Sequence, residues 1–327
     1  MAELVDAHDS KSCIARCESS SLSSGTMKSK VLIIVGPTAS GKSALAVTLA
    51  KKFNGEIISA DSRQVYRGLN IGTGKITKRE MRGVTHHLLD VASPKRKFSV
   101  SDFVKYATKA HSSVLQNTRM TIIVGGTGYY IDAFTGRITV PEVPPNAVLR
   151  VRLEKQTVVH LYALLQKKDP ERASHMASPS ERNNKRRLIR ALEIVGSLGR
   201  VPTWDLRSPT FNALWIGINP GLKQLEQKIK KRLIARIQHG MVAEAKKLHA
   251  DGLSYKRMEE LGLEYRSLAR FLQGKISKQE MIGELRRDIR RYAKKQLAYW
   301  KRNKEIQWFK PSEKQKIKKV VQMWLKE

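Results

Sequence analysis

A glycine-rich segment near the start of the chain has the composition and spacing of a phosphate-binding loop. Residues 36–43 read GPTASGKS and fit GxxxxGK[ST], between an apolar run and a predicted helix. Glycines let backbone N–H groups turn toward phosphate oxygens, and a helix N-terminus adds unpaired donors. A lysine would add positive charge, and the final hydroxyl could ligate Mg²⁺. The pattern predicts a phosphate compound of unspecified identity, held by Gly36, Pro37, Thr38, Ala39, Ser40, Gly41, Lys42 and Ser43.

A carboxylate follows the second predicted strand. Asp61 comes directly after the run EIISA at 56–60. Ligands of open α/β sheets bind at the carboxyl ends of the strands, so this side chain is expected to face the phosphate site. It could act as a general base, accept a hydrogen bond from a nucleobase or lie beside the ligands of Mg²⁺. The alternative is a helix N-cap, which Asp also favours, and the residue pattern leaves both open.

Alternating apolar runs and helical segments must position these groups. Continuous apolar runs at 31–35 and 121–124 are typical of buried parallel strands, and the segment 103–116 is typical of a helix. Further strands are predicted at 213–218 and 306–309. The alternation predicts an α/β fold with a P-loop NTPase-like parallel sheet flanked by helices.

A proline-rich stretch at 140–145 interrupts this alternation, and the chain after it becomes helical and basic. We therefore predict a catalytic core formed by 30–140 and 210–327, with a helical insertion at 141–209. Residues 1–29 are predicted to be a disordered extension, because most of this stretch is polar, Ser-rich and aperiodic. Met27 is the expected natural start.

The charge balance favours a polyanionic partner. The chain has 62 Lys+Arg and 29 Asp+Glu, a formal net charge of +33. Such an excess favours nucleic acid, although a generally basic composition is the alternative. No stretch has the apolar length of a membrane span, and the sequence shows no secretion signal. The two cysteines, Cys13 and Cys17, allow no thiolate zinc site in the rest of the chain, and the expected compartment is the cytoplasm.

Two basic stripes run along a predicted helix at 281–303, with residues four positions apart. They favour contact with RNA phosphates, and a simply solvated charged face is the alternative. The apolar face of the same helix is expected to comprise Leu285, Ile289 and Tyr292. The stripes comprise Arg286, Arg290 and Lys294, and Arg287, Arg291 and Lys295.

Several segments, taken in order, resemble the tRNA dimethylallyltransferase family of bacterial type. GxxxxGK[ST] alone is shared by many NTPases, whereas the ordered set is specific to this family and covers nearly the whole chain from Lys30. The matching segments are GPTASGKS (36–43), DSRQVY (61–66), GTGK (72–75), HHLLD (86–90), GGTGYY (125–130), RRLIRALEI (186–194), YR (265–266) and RRYAKKQ (290–296) with Trp300.

The resemblance implies transfer of a dimethylallyl group from dimethylallyl diphosphate to N6 of the adenosine immediately 3′ of a tRNA anticodon. The loop Thr38–Ser43 would hold the diphosphate rather than ATP, with Mg²⁺ bridging it to Ser43. Asp61 would accept the amine proton, Thr127 would lie beside the reaction channel and Arg266 would help neutralise the leaving diphosphate. A monomer is expected. Contacts with tRNA would come from Asp61, Ser62, Arg63, Gln64, Arg186, Arg187, Leu188, Ile189 and Arg190.

Four aromatic or imidazole side chains in the matching segments have open roles. We predict structural roles for His86 and His87, because no carboxylate pair with metal-ligand spacing adjoins them. One of Tyr129 and Tyr130 would line a prenyl channel, or both would pack in the core.

The chain departs from the family pattern at two positions, with Ile76 where the family has Pro and Glu264 where it has Gly. Because Glu264 lies two positions before Arg266 in the same segment, this departure puts the family's role for Arg266 in question. The absence of Cys after Cys17 excludes the C-terminal zinc finger of many eukaryotic members. Three rival functions stay open: an adenylate isopentenyltransferase using free nucleotides, a P-loop kinase, and a non-enzymatic RNA-binding protein.

Overall fold

A six-stranded parallel sheet forms the centre of the computed structural model, which describes residues 28–176, 178–202 and 211–327. The strand order is β3-β2-β4-β1-β5-β6, and every neighbouring pair is parallel. The strands are β1 (Lys30–Val35), β2 (Gly55–Ala60), β3 (His86–His87), β4 (Met120–Gly125), β5 (Asn212–Ile218) and β6 (Gln307–Phe309).

Helices cover both faces of this sheet and its carboxyl-terminal edge. Those N-terminal to the insertion are α1 (Lys42–Lys52), α2 (Lys78–Met81), α3 (Val100–Gln116) and α4 (Gly128–Phe134). Those within it are α5 (Ala147–Glu154), α6 (Val158–Lys168), α7 (Pro170–His175), α8 (Pro179–Arg182) and α9 (Lys185–Leu198). Those that follow are α10 (Leu222–Gln238), α11 (Met241–Ala250), α12 (Tyr255–Leu261), α13 (Leu263–Leu272), α14 (Lys278–Trp300) and α15 (Lys314–Lys326).

The central strands are apolar throughout because both of their faces are buried. Every residue of Val31–Val35 has no exposed surface. On one face, Leu32 and Ile34 pack in a cluster with α1 and α15; on the other, Ile33 packs with α3 and α4. The α/β fold with a parallel sheet and flanking helices, predicted from the apolar runs, is confirmed.

The helices α10–α14 form a third cluster that packs on the segment following β2. Val65, Tyr66 and Leu69 are buried in it together with residues from all five helices. This cluster therefore presses the chain that follows Asp61 against the carboxyl-terminal edge of the sheet.

The insertion has an apolar cluster of its own. Leu161 and Leu165 of α6 and Leu188 of α9 have no exposed surface and pack together. Residues 1–27 of the predicted extension at 1–29 and the predicted boundary between 209 and 210 lie outside the described residues. No helix in the described part of the chain is long and apolar enough to cross a membrane.

Candidate active site

A cavity lies at the carboxyl ends of β1, β2 and β4, where an α/β sheet is expected to bind its ligand. Its walls combine the phosphate loop, the segment after β2, the GTGK loop and three C-terminal helices. The lining residues used below are Thr38, Lys42, Ser43, Asp61, Arg63, Gln64, Gly74, His86, Arg232, Glu264, Ile289, Tyr292 and Gln296.

The phosphate loop ends in a helix start that has no side-chain cap. Gly41 is the N-cap of α1, with φ of 96°, a conformation that favours glycine. The first N–H groups of a helix have no partner within it, so here they are available to an anion. Gly36 must also be glycine, because a Cβ there would lie 2.5 Å from the carbonyl oxygen of Ile218. The loop is thus built as the sequence predicts.

Lys42 is held at this helix start with its charge partly desolvated. Its Nζ donates a hydrogen bond to the carbonyl oxygen of Pro37, at 3.2 Å. Burial lowers the pKa of Lys42 to about 8; the charge of Asp61 opposes this shift and that of Arg232 adds to it. An anionic ligand would restore the charged form, so the group is suited to binding phosphate.

Asp61 caps a turn rather than a helix, and its catalytic role stays a prediction. Its Oδ1 accepts hydrogen bonds from the N–H groups of Arg63, at 2.9 Å, and Gln64, at 3.3 Å. The carboxylate therefore caps the turn after β2 and also lines the cavity, together with both of those residues. Capping fixes its direction, and the second oxygen stays available for chemistry.

Thr127 holds the neighbouring turn in place. Its Oγ1 accepts a hydrogen bond from the N–H of Ser62, at 3.1 Å, and its own N–H donates to the carbonyl of Ala60, at 3.2 Å. Among the described residues, Thr127 and Ser62 are outside the set that lines the cavity. The structure therefore places Thr127 next to the segment that carries Asp61, and its place beside a reaction channel stays a prediction.

Two arginines of α10 lie over the GTGK loop, and sequence reasoning missed both. A Cβ on Gly74 would lie 2.8 Å from Nη2 of Arg232, which lines the cavity. Nη1 of Arg236 donates to the carbonyl of Gly72, at 2.6 Å. Nothing local distinguishes these arginines, because α10 carries many basic residues with similar spacing.

Glu264 is a buried carboxylate of the cavity wall. Its Oε1 accepts a hydrogen bond from Nη1 of Arg236, at 3.1 Å. The departure from the family's Gly is thus accommodated by a partner from another helix. Arg266 is exposed, and it is absent from the cavity wall over the described residues. Its Nη2 would lie 3.5 Å from a Cβ on Gly262, so its role at the leaving group stays a prediction.

Helix α14 contributes three side chains to the cavity, which corrects its predicted apolar face. Leu285 and Ile289 are buried in the core as predicted, and Ile289 also reaches the cavity, whereas Tyr292 is half-buried and lines the cavity. Burial and the charge of Asp61 raise the pKa of Tyr292 to about 12, so its hydroxyl keeps its proton at neutral pH. Gln296, one turn further on, has no assigned role in the sequence analysis. The helical period of 3.6 residues places all three on one side of α14.

The two histidines differ in position. His87 bonds through Nε2 to the carboxylate of Glu56, at 2.6 Å, away from the cavity, which agrees with a structural role. His86 lines the cavity, and its Nδ1 lies 2.8 Å from the carbonyl of Val84. Burial lowers the pKa of His86, so its neutral form dominates, with the Nδ1 proton donated to that carbonyl.

The two tyrosines after β4 do not contribute to the cavity wall over the described residues. Tyr130 is buried and stacks on Phe103 with ring centroids 4.4 Å apart. Tyr129 is exposed. Core packing, one of the two interpretations left open, describes Tyr130.

The predicted RNA-contacting residues of α9 have different environments. Arg186 is exposed, Arg187 pairs with Glu181 at 2.9 Å, and Arg190 pairs with Glu193 at 2.5 Å. Leu188 and Ile189 are buried in the apolar cluster of the insertion, so their side chains are not on its surface, and contact of this stretch with tRNA stays a prediction.

The basic stripes of α14 face solvent, as their spacing predicts. Arg286, Arg287, Lys294 and Lys295 are exposed. Arg290 pairs with Glu226 of α10, at 2.6 Å, so an acid from another helix reaches a stripe that contains none of its own. Contact of these stripes with RNA stays a prediction.

The cavity offers oxygen donors to a metal. Ser43 and Asp61 both line it, and hydroxyl and carboxylate oxygens suit Mg²⁺. Over the described ranges, no group of three or more His, Cys, Asp or Glu side chains could hold a metal ion. This sparse set fits Mg²⁺, which usually takes its remaining ligands from phosphate and water.

The fold and the site together define an α/β protein with a phosphate-binding loop beside a carboxylate. Comparison with known proteins narrows this class. The family model described as IPP transferase matches residues 64–303. The chain belongs to the IPP transferase family.

Its relatives match over most of their length. The chain is 37% identical over 308 residues to a tRNA dimethylallyltransferase of Halalkalibacterium halodurans, covering 91% of this chain and 96% of that protein. It is 39% identical over 280 residues to tRNA dimethylallyltransferase 2 of Treponema denticola, covering 84% and 92%.

Solved structures of the family share the fold. The tRNA isopentenylpyrophosphate transferase of Bacillus halodurans gives a TM-score of 0.69 at 35% identity, covering 91% of this chain and 97% of that one. A eukaryotic dimethylallyltransferase acting on tRNA gives 0.72 at 25% identity, covering 86% of this chain and 74% of that one.

Proposed function

We propose that this protein transfers a dimethylallyl group from dimethylallyl diphosphate to N6 of the adenosine immediately 3′ of the anticodon in tRNA. Family membership supports transfer of a prenyl group to tRNA. The observation that carries the proposal is that the cations Lys42 and Arg232 and the carboxylate of Asp61, the proposed base, line one cavity.

The phosphate loop suits a leaving diphosphate. As the allylic C–O bond breaks, negative charge collects on the diphosphate oxygens. Lys42 and Arg232 line the cavity, and α1 begins beside it with no side-chain cap, so these groups could stabilise the developing charge as preorganised donors. Mg²⁺ held at Ser43 would supply further charge neutralisation when bound. Phosphoryl transfer is not required for any of these contacts.

Asp61 is the proposed acceptor of the amine proton. An exocyclic adenine amine is a weak nucleophile, and removal of its proton as the N–C bond forms assists attack. The N–H groups of Arg63 and Gln64 hold one carboxylate oxygen, which leaves the other to accept that proton. The products are the N6-dimethylallyl adenosine and diphosphate, and the proton passes from the carboxylate to water.

The nucleobase must leave its stack to reach this cavity. Enzymes that modify a base commonly flip it into a pocket, and RNA recognition favours loops whose bases can be splayed out. Arg63 and Gln64 line the cavity together with Asp61, and we propose that they contact the edge of the flipped base. We propose a monomer that acts in the cytoplasm, with the basic stripes of α14 and Arg186 contacting RNA phosphates.

The assay uses purified protein, Mg²⁺, dimethylallyl diphosphate and unmodified tRNA, with AMP as a parallel acceptor. Digestion and mass spectrometry detect N6-dimethylallyl adenosine. We expect product on tRNA and none on AMP. Asp61→Asn keeps an oxygen for the two capping N–H groups and removes the base, so the rate should fall by roughly 10²- to 10⁴-fold.

The control is Asp251→Asn. Asp251 is exposed and pairs with Lys247 at 3.4 Å, so we expect this variant to have wild-type activity. Product on AMP alone would assign a free-nucleotide enzyme. ATP turnover without prenylated product would support a kinase instead.

A further inference from the structure

Gln296 connects the phosphate loop to the turn that follows β4. The side chain is 6% exposed and lies on α14, one turn after Tyr292. Its Oε1 accepts the N–H of Thr38 at 2.8 Å, and its Nε2 donates to the carbonyl of Gly126 at 3.0 Å. A primary amide carries both an acceptor and a donor at this reach, so a single group satisfies both loops.

The contact with Gly126 leaves no room for a Cβ while the amide of Gln296 keeps this position. A Cβ at that position would lie 2.0 Å from Nε2 of Gln296. The sequence GGTG after β4 therefore serves the approach of this amide as well as the turn itself. The amide belongs to α14, 170 positions further along the chain, so this contact depends on the packing of α14 against the turn.

The two segments that Gln296 joins are those proposed to serve the two substrates, the prenyl diphosphate and the adenosine. Thr38 begins the loop proposed to hold the diphosphate. Gly126 precedes Thr127, whose Oγ1 accepts the N–H of Ser62, the residue next to Asp61. Three hydrogen bonds, with the peptide bonds between neighbouring residues, therefore link the phosphate loop through Gln296 to the segment that carries Asp61.

We propose that Gln296 is a positioning residue: it fixes the phosphate loop against the Gly126–Thr127 turn and so sets the distance between the bound diphosphate and Asp61. This inference rests on the proposed function. Transfer between two bound groups depends on their alignment, and a displacement of about 1 Å can cost about 10²-fold in rate. Gln296 acts through Thr38 and Gly126 and needs no contact with either substrate.

Two substitutions separate positioning from packing. Gln296→Met keeps a side chain of similar length and removes both hydrogen bonds. Gln296→Glu keeps an acceptor for Thr38 but sets a carboxylate against the Gly126 carbonyl; protonation of that carboxyl restores a donor. We expect Gln296→Met to lower the single-turnover rate roughly 10- to 100-fold at saturating substrates, with unchanged affinity for tRNA.

The pH dependence provides the readout that a packing defect would not produce. The rate of Gln296→Glu divided by that of the wild type should rise as the pH falls, whereas the same ratio for Gln296→Met should stay flat. Division by the wild-type rate removes the titration of groups common to both proteins. Leu297→Ala is the matched control, because Leu297 is buried in the helical cluster beside Gln296 and outside the cavity wall of the described residues.

Leu297→Ala should lower Tm and leave the rate unchanged. Wild-type rates in both Gln296 variants would overturn the positioning role, and so would a rate loss in Leu297→Ala equal to that in Gln296→Met. The affinity for inorganic diphosphate in the presence of Mg²⁺ tests the order of the phosphate loop independently of the reaction. Gln296→Met should lower this affinity severalfold, and Leu297→Ala should leave it unchanged. If the wild type prenylates no tRNA, the proposed function fails, and this binding result alone then decides whether Gln296 orders the loop.

Discussion

The core cavity and the helical insertion use their charged residues in different ways. In the cavity, Lys42 and Asp61 are positioned by the backbone of short local segments at the ends of strands. In the insertion, Arg150 and Arg190 both pair with the buried carboxylate of Glu193. Lys42 is therefore positioned by backbone at the edge of a cavity, whereas most cations of α9 pair with carboxylates of the protein.

This difference shows that residue type alone does not identify an RNA contact. Arg186, Arg187 and Arg190 occur in one helical segment, yet they differ in exposure and in partner. Glu193 supplies the reason: it accepts hydrogen bonds from the two arginines and from the N–H of Asn146, at 2.6 Å. That carboxylate joins the entry of the insertion to its main helix.

The largest effect is expected from Glu193→Gln, which leaves two arginines without their counter-charge. Burial would raise the pKa of Glu193, but hydrogen bonds from Arg150, Asn146 and Arg190 lower it to about 2. The carboxylate therefore stabilises the fold above its ordinary pKa, and this contribution is lost as the pH falls toward 2. Since the arginines are partly exposed, we expect a loss of about 2–3 kcal/mol, below the 3–5 kcal/mol of a broken buried pair.

Hydrogen exchange would locate this loss in α5 and α9. The control is Glu181→Gln, whose exposed pair with Arg187 should contribute about 0–1 kcal/mol. Binding of inorganic diphosphate should be unchanged in both variants. Simultaneous loss of diphosphate binding would show that the two regions do not act separately.

An intermediate effect is expected from pH on the core site. Because the pKa of Lys42 is about 8, its charge is present below this pH and is lost as the pH rises through it. Affinity for inorganic diphosphate, measured by calorimetry, should therefore fall by up to about tenfold per pH unit above that pKa. Lys42→Arg keeps its charge and should bind with little change over the same range. A flat profile for the wild type would contradict the lowered pKa.

The smallest effect is expected from single arginines of α9. Arg186→Gln should weaken tRNA binding severalfold and reduce the slope of log affinity against log salt by about one, as for one phosphate contact. Arg190→Gln should leave that slope unchanged, because its guanidinium is engaged by Glu193 and the Val143 carbonyl. Equal slopes for the two variants would remove the distinction between them.

The structure agrees with the sequence where the pattern is local. The predicted strands at 31–35 and 121–124 lie within β1 and β4, because continuous apolar runs reflect burial on both faces. The predicted helix at 103–116 extends to Val100, where Ser99 and Asp102 form a capping box. The two-residue strand β3 was not predicted, since a segment of this length has no period to detect.

Long-range contacts account for the errors and omissions. Tyr292 was assigned to the core face of α14 because its spacing matches that of Leu285 and Ile289. The helical period identifies residues on one side of a helix but not whether that side meets core or cavity. Arg232 was missed because its partner, the GTGK loop, is more than 150 positions away in the chain.

By itself, the sequence determined the phosphate loop, the position of Asp61 after a buried strand, the parallel α/β architecture and the family resemblance. These depend on residues within a few positions of one another, where backbone geometry and burial act directly. The tertiary structure alone decided which cations face the cavity, which ones pair with Glu193 or Glu226, and how Gln296 joins Thr38 to Gly126. The physical reason is that side-chain partners are chosen by the packing of distant helices, which no local spacing records.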